Sequence, residues 1–192
     1  MSRRRRSSTI TLITAVISLF IWYGQSQGWF ASAMEGIEIN QPGLYSVSKF
    51  SDGDTITVDM NGTQETIRFI GVDTPETHDP RKPVQCYGPA ASAFTKNTLT
   101  AAGSKVRLAA DSLSNNRDRY ERLLRYVYLP DGTNLNLKLI REGYGFYYPY
   151  FPFSKANEFA AAQKLAQSET RGLWGNCQPI PTDKGGFNSN PQ

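Results

Sequence analysis

The chain has 192 residues, of which 39% are apolar and 20% are charged. This length suits one domain with a short appendage, and the composition is that of a globular rather than a disordered chain. The formal net charge is +4, but Arg3 to Arg6 supply four of the 21 basic residues and no acidic residue precedes Glu35. Without its first 33 residues the chain is neutral, with 17 basic and 17 acidic residues. A globally positive surface that attracts polyanions is therefore excluded.

The first 33 residues have the pattern of an export signal. A basic start at Arg3 to Arg6 precedes an apolar stretch over residues 9–23, and Ala31-Ser32-Ala33 offers a cleavage site. The apolar stretch is shorter than the ~20 residues of most membrane-spanning helices. We expect residues 1–33 to be a signal peptide or, if uncleaved, a single-pass membrane anchor. Either way the protein is expected to be extracytoplasmic, either secreted or in the cell envelope, with membrane contact only if the segment is retained.

Two cysteines, Cys86 and Cys177, lie in the part of the chain that would be exported. An oxidising compartment favours a disulfide between them, which would tie a loop near mid-chain to the C-terminal region. Two unrelated buried thiols are the alternative.

Alternating polar and apolar residues after Leu44 predict a three-stranded meander. Its turns are Asp52-Gly53-Asp54 and Asn61-Gly62, of which the second is a strong hairpin signal. Residues 73–87 contain three prolines and no periodicity, which predicts a long loop with a functional reason. The later predicted elements are a helix opened by Gly88-Pro89 and stopped by Gly103, strands over 105–108 and 123–129, a short helix over 135–140 and an Ala-rich helix over 158–168.

The order of these elements indicates a small barrel. Five strands with helices inserted late are consistent with an α+β fold, a five-stranded OB-fold barrel with packing helices. Periodicity alone does not separate this fold from another α+β layout. Residues 34–43 are expected to be a connector, residues 44–177 the folded domain, and residues 178–192, polar and rich in Gly, Pro and Asn, a flexible tail.

Three polar clusters stand out: Asp52-Gly53-Asp54-Thr55, Arg68 with Val72-Asp73-Thr74-Pro75-Glu76, and Asp118-Arg119-Tyr120-Glu121-Arg122. Each alone has an ordinary explanation as a turn, a helix cap or a solvated face. Together they supply carboxylates, which are ligands for Ca²⁺ or Mg²⁺, and guanidiniums, which match phosphate oxygens. No Ser or Cys nucleophile with a matching histidine is evident, and the single His78 cannot form a His-rich zinc site. The combination indicates metal-assisted phosphodiester hydrolysis by water.

These motifs resemble those of the staphylococcal nuclease (thermonuclease) family. The stretches that are very close to the family's sequence are Val72 to Thr77, Tyr87-Gly88-Pro89, Ala91 to Lys96, and the Asp-Gly-Asp-Thr and Asp-Arg-Tyr-x-Arg turns. The similarity runs from about Leu44 to Trp174, with the motifs in family order and spacing. The resemblance implies a hydrolase, a calcium-dependent endonuclease that cuts DNA and RNA on the 5′-oxygen side and leaves 3′-phosphates.

The resemblance also implies roles for single residues. The implied Ca²⁺ ligands are the carboxylates of Asp54 and Asp73 and the backbone carbonyl of Thr74. Glu76 would act as general base or orient the attacking water, and both alternatives remain open. Arg68 and Arg122 would bind the scissile phosphate from opposite sides and stabilise the negative charge that builds on it.

Substrate contacts are expected beside this centre, through stacking on single-stranded or fraying nucleic acid. The candidates for packing on a sugar or base are Tyr120 and one of Tyr147, Tyr148 or Tyr150, of which we choose Tyr148. For this second tyrosine, plain core packing is an equal alternative. Arg81 and Lys82 lie in the loop over 77–84, which resembles the family's mobile substrate-side loop.

One position departs from the family pattern. The residue before Arg122 is commonly Gly, and here it is Glu121. Gly adopts backbone angles there that Glu takes only at a cost, and Glu121 also adds a negative charge near a phosphate site. Displacement of Arg122 or a lowered activity is therefore expected.

Two functions of other kinds remain as alternatives. A catalytically silent OB-fold module could bind nucleic acid or protein, and an envelope protein could use the nuclease core as a scaffold. The retained acidic residues and arginines favour an enzyme over the silent module. DNA and RNA are then the expected partners, as substrates, and a monomer is the expected state.

Overall fold

A computed structural model describes residues 43–77, 83–183 and 185–191. The signal or anchor predicted over residues 1–33 lies outside the described residues, as do all but the last residue of the connector, His78, and the substrate candidates Arg81 and Lys82. Within the described ranges, no helix is long and apolar enough to cross a membrane.

The strands that form the main sheet are β1 (Tyr45–Asp52), β2 (Thr55–Met60), β3 (Thr63–Phe69), β5 (Lys105–Ala109) and β6 (Leu123–Tyr128). They close into a barrel in the order β1-β2-β3-β6-β5. Every neighbouring pair is antiparallel except β3 and β6, which run parallel. The predicted α+β, five-stranded OB-fold barrel is therefore confirmed.

Tight turns set the register of the first three strands. Asn61 and Gly62 have φ angles of 56° and 89°, the positive values that a two-residue type I′ hairpin requires. Asp52 pairs with Thr55 across the first turn, so the loop consists of Gly53 and Asp54 alone. This short loop places the Asp54 side chain at the rim of the barrel.

Helices cover the barrel and complete one apolar core. They are α1 (Gly88–Ala101), α2 (Leu135–Arg141), α3 (Ala156–Ser168) and the short α4 (Leu173–Asn176). Their fully buried side chains include Leu99, Leu139 and Phe159, which join barrel residues such as Ile67 and Val127. The core therefore lies between the barrel wall and the helices, and the charged clusters remain at its edge.

The aromatic run before α3 contains a strand that the sequence did not predict. Phe146 and Tyr147 form β7, which pairs antiparallel with β4 (Val72–Asp73). Prolines at 149 and 152 hid this short element, because they end the run before any alternation develops. The pairing holds the strand that carries Asp73 against the helical side of the domain.

Two short strands lie within residues 178–192, for which the sequence predicted a flexible tail. Ile180–Pro181 (β8) and Phe187–Asn188 (β9) pair as a two-stranded sheet. The ring of Phe187 stacks on Phe146 at 6.1 Å and meets Trp174 edge-on at 5.0 Å, measured between ring centroids. Phe187 is a single aromatic residue in a polar segment, so the overall composition of the tail does not predict these ring contacts. Cys86 and Cys177 are joined by a disulfide.

Candidate active site

The turn between β1 and β2 presents Asp54 as a buried carboxylate. Its Oδ2 accepts hydrogen bonds from the Thr74 N–H at 2.8 Å and from the Thr74 hydroxyl at 3.1 Å, and its Oδ1 accepts from the Thr55 hydroxyl at 2.9 Å. A Cβ atom on Gly53 would lie 2.8 Å from Thr74 Oγ1, so only glycine lets the two segments approach this closely. The Asp54 carboxylate is therefore fixed in position.

Arg68 brings two of the predicted carboxylates to one place. Its Nη1 lies 3.1 Å from Asp54 Oδ2, and its Nη2 lies 2.7 Å from Asp73 Oδ1. Nη1 also donates to the Val72 carbonyl at 2.6 Å, which fixes the plane of the guanidinium. Burial alone would lower the pKa of Arg68, but Asp54 and Asp73 raise it, so this side chain stays cationic.

Glu76 lies in the loop after β4, near a carboxylate to which the sequence motifs assigned no role. Its Oε1 accepts from the Thr77 N–H at 2.9 Å, and the Thr77 hydroxyl donates to Asp52 Oδ1 at 3.2 Å. Burial and the negative charges of Asp54 and Glu76 raise the pKa of Asp52 to about 6. The first turn therefore adds Asp52 as a fourth acidic side chain, besides Asp54, Asp73 and Glu76.

The donor set beside Arg68 fits a hard divalent cation. Asp54 and Asp73 both contact the same guanidinium, so their carboxylates already converge on positive charge. Burial is the main cause of the raised pKa of Asp52, and the negative charges of Asp54 and Glu76 add to it. Among the described residues, no three Asp, Glu, His or Cys side chains group together as a metal site. The candidate set is thus two carboxylates and the Thr74 carbonyl, with further oxygen ligands supplied by water or substrate.

The third cluster forms a tight turn that holds Arg122. Asp118 Oδ2 lies 2.7 Å from both Nε and Nη2 of Arg122. The Tyr120 ring lies 5.4 Å from the Arg122 guanidinium carbon, and 63% of Tyr120 is exposed to solvent. The sequence motif contained Asp118 but did not show its role, which is to orient Arg122 through two guanidinium nitrogens that contact one carboxylate oxygen.

Glu121 occupies the backbone conformation that glycine favours. Its φ angle is 63°, in the left-handed region. The turn is closed by hydrogen bonds from the Glu121 N–H to the Asp118 carbonyl and from the Asp118 N–H to the Arg122 carbonyl, both 3.0 Å long. The expected departure from glycine is therefore accommodated without opening the turn, at the cost of an unfavourable backbone angle.

A cleft of about 530 Å³ joins the second and third clusters. Its lining includes Arg68, Arg122, Tyr120 and Tyr148, together with the exposed Phe151. The two arginines therefore face one common space, although they are 54 residues apart in the chain.

The three tyrosines that the sequence left open have different surroundings. The ring of Tyr148 lies 6.0 Å from the Arg68 guanidinium carbon and lines the cleft. Tyr147 pairs with Val72 in the β4–β7 ladder, and the Tyr150 hydroxyl lies 2.5 Å from Thr182 Oγ1 in the tail. Of these three described tyrosines, only Tyr148 lines the cleft beside the arginines.

The OB-fold barrel carries a cleft lined by two guanidiniums, Arg68 held by Asp54 and Asp73 and Arg122 held by Asp118, which is an arrangement suited to a hydrolase of phosphate esters. Comparison with known families agrees, because the sequence model of the family described as staphylococcal nuclease homologue matches residues 66–176. The chain belongs to the staphylococcal nuclease family.

Named relatives are similar over most of the chain. It is 43% identical to the thermonuclease of Staphylococcus hyicus, covering 87% of this chain and 95% of that protein. It is 39% identical to the thermonuclease of Staphylococcus intermedius, covering 88% and 96%. It is also 38% identical to the endonuclease YncB of Bacillus subtilis, covering 70% of this chain and 64% of that protein.

Proposed function

We propose that the protein is a calcium-dependent endonuclease that hydrolyses both DNA and RNA, cutting on the 5′-oxygen side and leaving 3′-phosphates. The observation that carries this proposal is that Arg68 and Arg122 line one cleft, while Arg68 also contacts the carboxylates of Asp54 and Asp73. Similarity to thermonucleases over nearly their whole length supports it.

The two arginines stabilise the charge that develops on phosphorus. Attack by water gathers negative charge on the phosphoryl oxygens, and a planar guanidinium can bind two of them at once. Arg68 is held by Asp54, Asp73 and a backbone carbonyl, and Arg122 by Asp118, so neither needs to be ordered when substrate arrives. Such preorganisation is a large part of electrostatic catalysis.

Asp54, Asp73 and the Thr74 carbonyl would hold the calcium ion, which when bound supplies a Lewis acid beside the phosphate. Glu76 lies two residues after Thr74 in the chain. Its carboxylate accepts the proton of the attacking water or orients that water, while the P–O5′ bond breaks and the 5′-oxygen takes up a proton. The phosphate then remains on the 3′-oxygen of the upstream fragment.

Tyr120 and Tyr148 provide aromatic surfaces at the cleft. Stacking accepts any base, which suits an enzyme that acts on single strands of both DNA and RNA. Arg81 and Lys82 are proposed as further substrate contacts. The protein is proposed to act outside the cytoplasm as a monomer, and the Cys86–Cys177 disulfide supports an oxidising location.

The test is digestion of single-stranded DNA and of RNA by the exported, purified protein, with Ca²⁺ in one reaction and a chelator in the other. Glu76→Gln is the loss-of-function variant, and Glu158→Gln on α3 is a matched control. We expect cleavage only with Ca²⁺, in the wild type and Glu158→Gln, and products whose 3′ ends lose phosphate on phosphatase treatment.

Other outcomes separate the alternatives. If the wild type binds DNA without cutting it, the protein is a silent OB-fold binding module rather than an enzyme. Cleavage that persists in the chelator would remove calcium from the proposal, and equal activity of Glu76→Gln would remove Glu76 from the chemistry.

A further inference from the structure

The backbone N–H and the backbone carbonyl of Glu76 both form hydrogen bonds with one residue, Gln85. The Glu76 N–H donates to Gln85 Oε1 at 2.7 Å, and the Gln85 N–H donates to the Glu76 carbonyl at 2.9 Å. This two-way contact closes the base of the loop that follows Glu76. The direction of the Glu76 side chain depends on its own backbone, and Gln85 supplies two of the contacts that orient it.

Gln85 is in turn held by the C-terminal tail. We call residues 178–183 and 185–191 the C-terminal clasp. Gln85 forms a β-bridge with Pro191, and the Cys86 N–H donates to the Asn190 carbonyl at 2.8 Å. The Ser189 hydroxyl donates to the Cys86 carbonyl at 2.7 Å. These contacts hold the backbone segment that carries the Gln85 side chain.

The disulfide fixes the same segment at a second point. Cys86, the neighbour of Gln85, is bonded to Cys177, which lies directly before the clasp. The Gln178 N–H donates to Asn190 Oδ1 at 3.0 Å, which joins the two ends of the clasp. The Gln85–Cys86 segment is therefore held covalently by the disulfide and non-covalently by the hydrogen bonds.

The clasp also reaches the other side of the site. Phe187 stacks on Phe146, and Phe146 pairs with Asp73 in the β4–β7 ladder. The clasp thus contacts the strand partner of Asp73 as well as the segment that binds Glu76. A polar tail with one aromatic anchor connects the two halves of the candidate site.

We propose that Gln85 is a positioning residue for Glu76, and that the C-terminal clasp and the Cys86–Cys177 disulfide hold Gln85 in place. The catalytic consequence of this inference rests on the proposed nuclease function, but its structural part does not. A carboxylate that must meet a water molecule beside phosphorus loses rate when it moves by about 1 Å, even though the substrate still binds. Gln85 therefore supports turnover rather than affinity.

The first measurement does not require activity. Hydrogen exchange at the Glu76 N–H is compared in the wild type and in Gln85→Met, which keeps the length of the side chain but removes its acceptor. We expect exchange at Glu76 to accelerate about tenfold or more, because that N–H loses its partner. The Thr74 N–H, bonded to Asp54 Oδ2 at 2.8 Å, is the internal control and is expected to stay unchanged. Unchanged exchange at Glu76, or equal acceleration at both amides, would overturn the inference.

The second measurement is steady-state cleavage of single-stranded DNA with Ca²⁺. In Gln85→Met we expect kcat to fall about 10- to 100-fold, with KM changing less than about twofold. Gln85→Glu retains the acceptor oxygen and is expected to restore most of kcat, and Gln167→Met makes the control change on α3. A rise in KM with unchanged kcat would contradict a positioning role. The same loss of kcat in Gln85→Glu would also contradict it.

The clasp is tested by the double substitution Cys86→Ser and Cys177→Ser. We expect exchange at Glu76 to accelerate and kcat to fall in a protein that still melts cooperatively. Wild-type exchange and wild-type kcat in the folded double variant would remove the disulfide from the inference. If the wild type cuts no nucleic acid, the proposed function fails, and the exchange measurements still decide whether Gln85 positions Glu76.

Discussion

Asp118 contacts both the backbone and the side chain of Arg122. Its Oδ1 accepts from the Arg122 N–H at 3.0 Å, and its Oδ2 lies 2.7 Å from Nε and Nη2 of the same residue. Burial alone would raise the pKa of Asp118, but the hydrogen bonds from Arg122 and from the Tyr120 N–H lower it, so the carboxylate stays ionised. One acidic residue thereby builds the turn and aims the guanidinium into the cleft.

Removal of this carboxylate is expected to lower turnover. In Asp118→Ala, Arg122 regains rotamer freedom, and the preorganised part of its contribution is lost. We expect kcat to fall about tenfold, the low end of the effect of removing one transition-state donor. The measurement is cleavage kinetics beside Asp59→Ala, which removes a turn-binding carboxylate from the β2–β3 hairpin. Loss of activity in both variants to the same degree would argue against a specific role for Asp118.

Arg68→Lys is expected to lower kcat about 100-fold or more. A lysine keeps the positive charge but has one ammonium group, so it cannot bind Asp54, Asp73 and a phosphate in a fixed fork. Arg125→Lys on β6 is the matched control, because Arg125 is also partly buried and binds Asn116 Oδ1 at 2.8 Å. We expect that control to retain activity within about twofold. Wild-type turnover of Arg68→Lys would show that charge alone suffices.

Glu121→Gly is expected to stabilise the protein by about 1 kcal/mol, because a residue with a Cβ pays that much for a left-handed backbone. Turnover should rise or stay unchanged, since the same change removes a negative charge beside Arg122. Equilibrium denaturation and cleavage kinetics measure the two effects. Glu121→Ala removes the charge without relieving the backbone and separates the causes. A clear loss of activity in Glu121→Gly would contradict this interpretation of the turn.

Asp111 is expected to make stability depend on pH in the acid range. Burial alone would raise its pKa, but hydrogen bonds from Ser154, Tyr126 and the Leu113 N–H lower the pKa of Asp111 to about 2. A folded-state pKa below the ordinary value means that the ionised form favours folding. This contribution, about 2 kcal/mol, is complete above pH ~4 and disappears as pH falls toward ~2.

Asp111→Asn tests that contribution. The variant should be less stable than the wild type at pH 7, and the difference should shrink as pH falls from about 4 to 2. Equilibrium unfolding at several pH values measures it. A stability difference that stays constant across this window would mean that Asp111 acts through packing rather than through its charge.

Binding of single-stranded DNA is expected to depend only weakly on salt. The chain after residue 33 has no net charge, so few phosphate contacts beyond the cleft arginines are expected. We expect log Kd against log salt to have a slope of about 2 in the inactive Glu76→Gln variant with Ca²⁺. A slope of about 6 would require many more phosphate contacts and would contradict this expectation.

Local features of the sequence predicted most elements correctly. Asn61-Gly62 specified its hairpin because both residues adopt positive φ at little cost, and alternation specified β2 and β3. The motifs also placed Arg68 and Arg122 in one functional set, and the fold brings both to one cleft. These features depend on neighbours within a few residues, and so they are readable in order along the chain.

Features that depend on distant contacts were not readable in this way. The raised pKa of Asp52 follows from burial beside Asp54 and Glu76, and Gln85 forms two hydrogen bonds with a residue nine positions away. The β4–β7 pairing and the docked tail depend on Phe146 meeting Phe187. None of these contacts leaves a periodic trace, because each joins single residues rather than repeating faces.

The sequence by itself therefore predicted the five barrel strands and the three longer helices, since propensity, alternation and turn chemistry act locally, and the resemblance of its motifs named the acidic and arginine residues of the candidate site. Only the tertiary structure decided which tyrosine faces the cleft, which carboxylate holds Arg122 and which segment braces Glu76. Barrel closure and the parallel contact of β3 with β6 bring together residues that lie far apart in the chain. Their proximity is a property of the packed core, which no short stretch of sequence encodes.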